Sequence, residues 1–204
     1  MLLRQEDEVA HKIIMGIDPG TNVTGYGLLR VEEHTATCLV LGDIDLHRIT
    51  DPYQKLRYIF ERVSGLIDEY HPDEVALESP FFGKNIQSML KLGRAQGVAM
   101  AAALSRGVPV AEYAPRKVKQ TITGRGSASK EQVALLLKNL LHLETLPRRL
   151  DATDGLAVAV CHWFQSAPVP KLESRTKKKA LGGGPVASCS WEQFVSNHPE
   201  RVKK

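Results

Sequence analysis

Ile13-Ile14-Met15-Gly16-Ile17-Asp18-Pro19-Gly20-Thr21 decides how the rest of the chain is read. A short run rich in β-branched residues and closed by Pro-Gly predicts a buried strand. The strand ends in an aspartate. A carboxylate there is costly to bury unless something pairs with it, and a metal ion is one such partner. The same format returns at Glu74-Val75-Ala76-Leu77-Glu78-Ser79-Pro80, an apolar strand ending in an acid before a proline. Two strand-end carboxylates ask for a cation between them.

Working outward, the turn Pro19-Gly20-Thr21-Asn22 leads into a second strand, Val23 to Val31, so the two predict a hairpin. Thr35 to Asp45 reads as a third strand. Asp51 is a suitable N-cap with Pro52 at the first helical position. Apolar residues at Leu56, Ile59, Phe60, Val63, Leu66 and Ile67 then keep helical spacing to about Tyr70. After the strand ending at Glu78, Asn85 to Arg106 predicts a long helix rich in small residues. Val108 to Tyr113 predicts a fifth strand, and Arg116 to Ile122 a short basic helix. Ser129 with Gln132 reads as the capping box of a helix to about Leu140. A last helix runs from Leu150 to about Gln165. The alternation of strands and helices is an α/β pattern with a hairpin start. It places the first and fourth strands side by side and brings Asp18 and Glu78 to one edge, where open α/β sheets bind ligands.

The last helix opens Leu150-Asp151-Ala152-Thr153-Asp154-Gly155. Asp151 and Asp154 are three apart and share a face in the first turn, where the helix dipole favours acids. Taken alone, the pair reads as ordinary first-turn acids. Taken with Asp18 and Glu78, it makes four carboxylates in one place, which without a cation repel and raise one another's pKa. Oxygen donors with no organised His or Cys point to Mg²⁺ or Mn²⁺. Two such ions about 3.5–4 Å apart are the usual apparatus for in-line attack on a phosphodiester. His162, roughly 12 Å down the helix from Asp154, reads as structural.

Charge is strongly polarised. Residues 1–83 hold 7 Lys/Arg against 15 Asp/Glu, whereas residues 84–130 hold 9 Lys/Arg against one acid, Glu112. The second block is a candidate phosphate-binding surface. The tail from Lys171 holds 8 basic and 3 acidic residues. Its prolines, the run Lys177-Lys178-Lys179 and Gly182-Gly183-Gly184 predict disorder. The expected organisation is therefore an extension over 1–12, an α/β domain over 13–165 and a basic tail over 166–204. The longest wholly apolar run, Val98 to Leu104, falls far short of the roughly 20 residues of a membrane span. The acidic start lacks a signal core, so no export is expected. Cys38, Cys161 and Cys189 are irregularly spaced and fit a reducing cytoplasm.

Six pieces in order carry a resemblance: Gly16-Ile17-Asp18-Pro19-Gly20; Thr24-Gly25-Tyr26-Gly27; Leu77-Glu78 followed by Phe81; Lys91-Leu92-Gly93-Arg94-Ala95-Gln96-Gly97; Val118-Lys119-Gln120 with Gly124 and Gly126-Ser127; and Asp151-Ala152-Thr153-Asp154-Gly155-Leu156-Ala157. Over about residues 13–165 the chain resembles the RuvC family of bacterial Holliday-junction resolvases. The resemblance implies a ribonuclease-H-like fold, a five-stranded mixed sheet flanked by helices. It implies a homodimer that binds four-way junction DNA and makes paired, metal-dependent nicks leaving 5′-phosphate and 3′-hydroxyl ends. A RuvA–RuvB branch-migration complex is then an expected partner. Asp18, Glu78, Asp151 and Asp154 carry over as the catalytic acids and metal ligands. Lys119 and Lys130 match family lysines near the scissile phosphate and in junction binding, and Phe81 an aromatic that stacks on opened bases. The residues themselves agree: both lysines lie in the basic block beside the Gly124-Arg125-Gly126-Ser127 loop, and an exposed aromatic can stack on unpaired bases. Arg116 and Arg125 of the same block are further DNA-binding candidates. The chain departs from the family pattern in its N-terminal extension, in Phe82-Gly83 and in its long basic tail.

Asp18-Pro19-Gly20-Thr21 also resembles the phosphate hairpin of actin-like ATPases and sugar kinases, but those need a second lobe for which 204 residues are too few. A nuclease for RNA or other branched DNA and a non-catalytic junction binder are the remaining alternatives. Magnesium-dependent nicking of a synthetic junction separates them.

Overall fold

Five strands and five helices follow from the alternation and capping signals above. A computed structural model of the chain describes residues 11–80 and 85–166. The expectations for Phe81, for most of the N-terminal extension and for the tail lie outside the described residues. The strands are β1 (His11–Asp18), β2 (Val23–Glu32), β3 (Thr35–Asp45), β4 (Glu74–Glu78) and β5 (Val110–Tyr113). The helices are α1 (Pro52–Tyr70), α2 (Ile86–Leu104), α3 (Pro115–Thr123), α4 (Lys130–Leu140) and α5 (Asp151–Ser166).

The sheet order is β3-β2-β1-β4-β5. The first three strands form an antiparallel meander, and β4 and β5 are added parallel. The sheet is thus mixed, with β1 at its centre and beside β4 as expected. Its two faces bury two cores. Ile14, Leu29 and Ala76 pack with Leu156, Val160 and Leu137 beneath α3, α4 and α5. Met15, Ile17, Val75 and Leu77 pack with Ile59, Val63, Ala99 and Ala103 beneath α1 and α2. Full burial of each large aliphatic is worth about 1.5–3 kcal/mol. An α5 that is apolar nearly all round suits a helix wedged between the sheet and two other helices.

Caps set the helix limits. Asp51 accepts from the backbone N–H groups of Tyr53 and Gln54, and His71, at φ 47°, closes α1 in the left-handed region. Ser129 and Gln132 make the reciprocal capping box. The strand β5 begins later than its apolar pattern predicts. The Val108 N–H is still bonded to the Ala103 carbonyl at the end of α2, and Pro109 has no N–H for a ladder. In β1 the ladder reaches back to His11, two residues before the apolar run, because backbone pairing does not depend on side-chain polarity.

Candidate active site

Side-chain parity along the strands decides where the acids point. Met15, Ile17, Val75 and Leu77 face α1 and α2, and Ile14 and Ala76 face α5. Alternation then directs Asp18 and Glu78 to the α5 side. They end strands that are paired in parallel register up to Ile17 and Leu77, so the two acids are neighbours. The turn after Asp18 is braced by the buried Thr24, whose hydroxyl lies 3.2 Å from both the N–H and the carbonyl oxygen of Gly20.

Asp151 and Asp154 arrive from the other layer, in the first turn of α5. Glycine makes the approach possible. A Cβ on Gly25 would sit 1.8 Å from the backbone oxygen of Asp151, and Gly25 is the register partner of Asp18. The start of α5 therefore rests directly on the residue beside Asp18, with no side chain between them.

The four acids sense one another. Burial, then the charges of Asp154 and Asp151, push the Asp18 carboxyl up to about 7 against the opposing charge of Lys130. Burial, then Asp18 and Asp154, push Glu78 up to about 8, with Lys130 and Lys119 opposing. Burial also raises Asp154, although its hydrogen bond to Lys130 works the other way. Lys130, at the first position of α4, puts its Nζ 2.5 Å from Asp154 and 3.3 Å from Asp151. Partial burial disfavours its charge, but the two carboxylates hold it above the ordinary lysine range.

The sequence candidates thus sort into two groups. Asp18, Glu78, Asp151, Asp154, Lys130 and Lys119 gather around the end of β1. Arg116 and Arg125 stand exposed by the Gly124–Ser127 loop, and among the described residues no hydrogen bond or ion pair ties either to the acids. The Arg116 stem passes over Gly126, 2.5 Å from where a Cβ would be. Phe81 is outside the described residues. Among those residues, no three His, Cys, Asp or Glu side chains stand close enough together to hold a metal ion as they are placed. Lys130 pairs with two of the four acids, Asp154 and Asp151.

One support went unread in the sequence, and one was read without its partners. Arg149, two residues before Asp151, reaches Asp43 at 3.2 Å and Asp45 at 2.8 Å on β3. Its signal was a basic pair, Arg148-Arg149, just ahead of a helix N-terminus, where a cation is disfavoured unless acids elsewhere take it up. His162 was read as structural. It bonds Glu74 through Nε2 and lies 2.7 Å from the Tyr113 hydroxyl through Nδ1. Lys12 joins at 2.6 Å from Glu74.

Comparison with known proteins places this arrangement. A family model described as crossover junction endodeoxyribonuclease RuvC matches residues 14–162. The chain is 54% identical over 197 residues to the crossover junction endodeoxyribonuclease RuvC of Bacteroides fragilis, covering 96% of this chain and 98% of that protein. It is 51% identical over 203 residues to that of Cytophaga hutchinsonii, covering 100% and 94%. Among solved structures, Thermus thermophilus RuvC in complex with Holliday junction substrate is similar at a TM-score of 0.71 and 34% identity, covering 77% of this chain and 96% of that one. The yeast mitochondrial Holliday junction resolvase Ydc2 shares the fold at a TM-score of 0.54 and 14% identity, covering 72% and 76%.

Proposed function

The chain belongs to the RuvC family of crossover junction endodeoxyribonucleases, and from that premise we propose how its residues share the work. It is a divalent-metal-dependent nuclease that resolves Holliday junctions. In our reading Asp18, Glu78, Asp151 and Asp154 are the metal ligands and catalytic acids. The observation that carries this is the gathering of Asp18, Glu78 and Asp154, each with its carboxyl raised by burial and by neighbouring charge. Such a cluster is costly by itself and is relieved by a multivalent cation.

The residues fit the ion in donor chemistry: all four offer hard oxygens, which suit Mg²⁺, or Mn²⁺ in its place, and their number suits two ions. When bound, the ions supply the charge that activates water for in-line attack and steadies the leaving oxygen. Asp18 and Glu78 release their protons to become ligands. Lys130 gives up Asp154 and Asp151 and turns to the DNA backbone. Lys119, whose charge already acts on Glu78 and Asp154, meets the scissile phosphate. Arg116 and Arg125 hold flanking phosphates, and Phe81 stacks on bases opened at the junction. Cleavage leaves 5′-phosphate and 3′-hydroxyl ends.

The catalytic unit is residues 13–165, with 1–12 as an extension and 166–204 as a dispensable basic tail. The protein acts as a homodimer with a RuvA–RuvB complex as partner. Free Cys38 and Cys161 suit the reducing cytoplasm, and among the described residues no helix is long and apolar enough to cross a membrane.

The test uses a synthetic four-way junction. Asp18→Asn removes a ligand without touching the basic block, so nicking in Mg²⁺ should fall by three orders of magnitude or more. Junction affinity in Ca²⁺, read by gel shift, should stay within about twofold. Equal losses of binding and cleavage would show that Asp18 serves the fold or DNA contact and not the chemistry.

A further inference from the structure

A cavity of about 440 Å³ lies away from the four acids, between α1 and α2 beside the turn that follows Asp18. Its floor is apolar, made by Leu46, Leu56, Ile59 and Ala95. Its rim is basic: Lys91 and Arg94 come from α2, and Lys55 from α1. Thr21 and Asn22 form the wall nearest the acids. That wall is held in place, because Lys55 Nζ donates to the Thr21 carbonyl at 2.9 Å and to Asn22 Oδ1 at 3.1 Å.

Three features make this a site for an anion with an apolar body. Lys91 and Arg94 are exposed, and α2 contains no acid from end to end. Lys12, Arg57, Arg106, Lys130 and Arg149 all have carboxylate partners, whereas among the described residues Lys91 and Arg94 have none. The volume falls in the range of small-ligand pockets. The apolar floor has little to offer a second charge, but it suits a deoxyribose and the face of a base. Position supplies the source of the ligand. Thr21 is three residues from Asp18, so their Cα atoms are within about 11 Å. That is about three nucleotide steps at 3.4 Å each.

We propose that this cavity binds one nucleotide of the junction within about three positions of the cut, its phosphate on Lys91 and Arg94 and its sugar and base over the Leu46–Leu56–Ile59 floor. The cavity lies on the α1–α2 face of the sheet, whereas α3 and α4, which carry Lys119 and Lys130, pack on the other face, so a strand would be gripped at two separate places. Two points of attachment fix which phosphate meets the acids, and that is positioning of the kind that raises the rate of a metal-dependent cut. The proposal rests on the junction-resolving function above.

The experiment uses full-length protein and a four-way junction in Ca²⁺. Single neutral methylphosphonates replace, in turn, the phosphates within four positions of the cut, and dissociation constants are read by fluorescence anisotropy across a salt series. Lys91→Ala with Arg94→Ala should weaken binding about tenfold and reduce the log–log salt slope by about one. One methylphosphonate should cost the wild type a similar factor and cost the double variant nothing further, the non-additivity expected of groups in contact. Thr50→Trp narrows the cavity from the β3–α1 loop without altering α2, and should erase the effect of that same methylphosphonate. Additive losses at every position, or a Thr50→Trp variant with the wild-type profile, overturn the assignment while leaving the junction-resolving function standing. A wild-type protein that binds four-way junctions no better than duplex overturns both.

Discussion

Asp18 and Glu78 are held in the folded protein at about 7 and about 8, well above ordinary carboxylates. Between pH 4 and pH 8 the native state therefore keeps protons that the unfolded chain has already released. Stability must fall as pH rises through that window, because the unfolded state binds fewer protons. Each pKa unit is worth about 1.4 kcal/mol, so the loss across the window reaches several kcal/mol. A divalent cation held by the ionised carboxylates, as proposed above, would offset that loss. In EDTA the Tm should drop by ten degrees or more from pH 5 to pH 8, and saturating Mg²⁺ should flatten the curve. A Tm indifferent to both pH and Mg²⁺ would mean that Asp18 and Glu78 are neither strained nor ligands. At the same scale Gly25 shows why some of the site was hidden. The sequence marks it as one of several glycines. Only the fold reveals that the Asp151 backbone occupies the place of its Cβ.

Among the elements, α5 joins everything that matters: its first turn carries Asp151 and Asp154, and its last turns carry His162. The His162–Glu74–Tyr113–Lys12 network ties α5, β4, β5 and β1 at the end of β4 remote from Glu78. Three of those elements carry the four acids. His162→Leu leaves the Tyr113 hydroxyl without this partner and Glu74 with Lys12 alone. A buried polar group left unmatched costs about 1–3 kcal/mol. The variant should lose about 2–3 kcal/mol in urea unfolding yet nick at near the wild-type rate at 25 °C, since no acid is moved. A rate loss much larger than the stability loss would make His162 part of the positioning of the acids. Elements were legible in the sequence wherever local chemistry specifies them. Asp51-Pro52, Ser129 with Gln132, and the alternation in β1 and β4 each have a cause within a few residues. Long-range partners have no such local signature. Arg149 with Asp43 and Asp45, and His162 with Tyr113, join residues far apart in the chain. The Lys130–Asp154 contact was half legible: both residues were singled out, but as a DNA contact and a metal ligand, not as partners of each other. The cavity between α1 and α2 was not legible, because its lining comes from three regions far apart in the chain, around Thr21, between Leu46 and Ile59, and along Ser88 to Ala95. Lys91 and Arg94 stood in a family motif, but nothing local joined them to the other two regions.

At the scale of the whole molecule the question is how one active site cuts a substrate that has two equivalent strands. The homodimer proposed above would answer it, and helix α2 carries a face suited to the contact. On the side away from the cavity it presents Ile86, Leu90, Gly93, Gly97, Ala101 and Leu104 at helical spacing. Ile86 is 67% exposed, Leu90 53% and Leu104 56%. A Cβ on Gly93 or Gly97 would meet nothing within 4 Å, so the chain's own packing does not require glycine at either place. Small residues between exposed aliphatics suit close approach of a second α2, and a two-fold axis there makes the patch its own complement. Each protomer would then bring its own Asp18 cluster to one junction. Gly97→Glu puts a charge at the middle of that patch and faces the same charge on the partner. Sedimentation should show the wild type as a dimer and the variant as a monomer at the same concentration, with an unchanged far-UV spectrum. On a plasmid that extrudes a cruciform, the proposed dimer should make both nicks in one encounter and yield linear DNA. The variant should yield nicked circles, at a rate reduced by the lost affinity of a two-site complex. A Gly97→Glu protein that still sediments as the wild type does would remove α2 as the dimer contact, and linear product from a proven monomer would remove the need for a dimer in paired cutting.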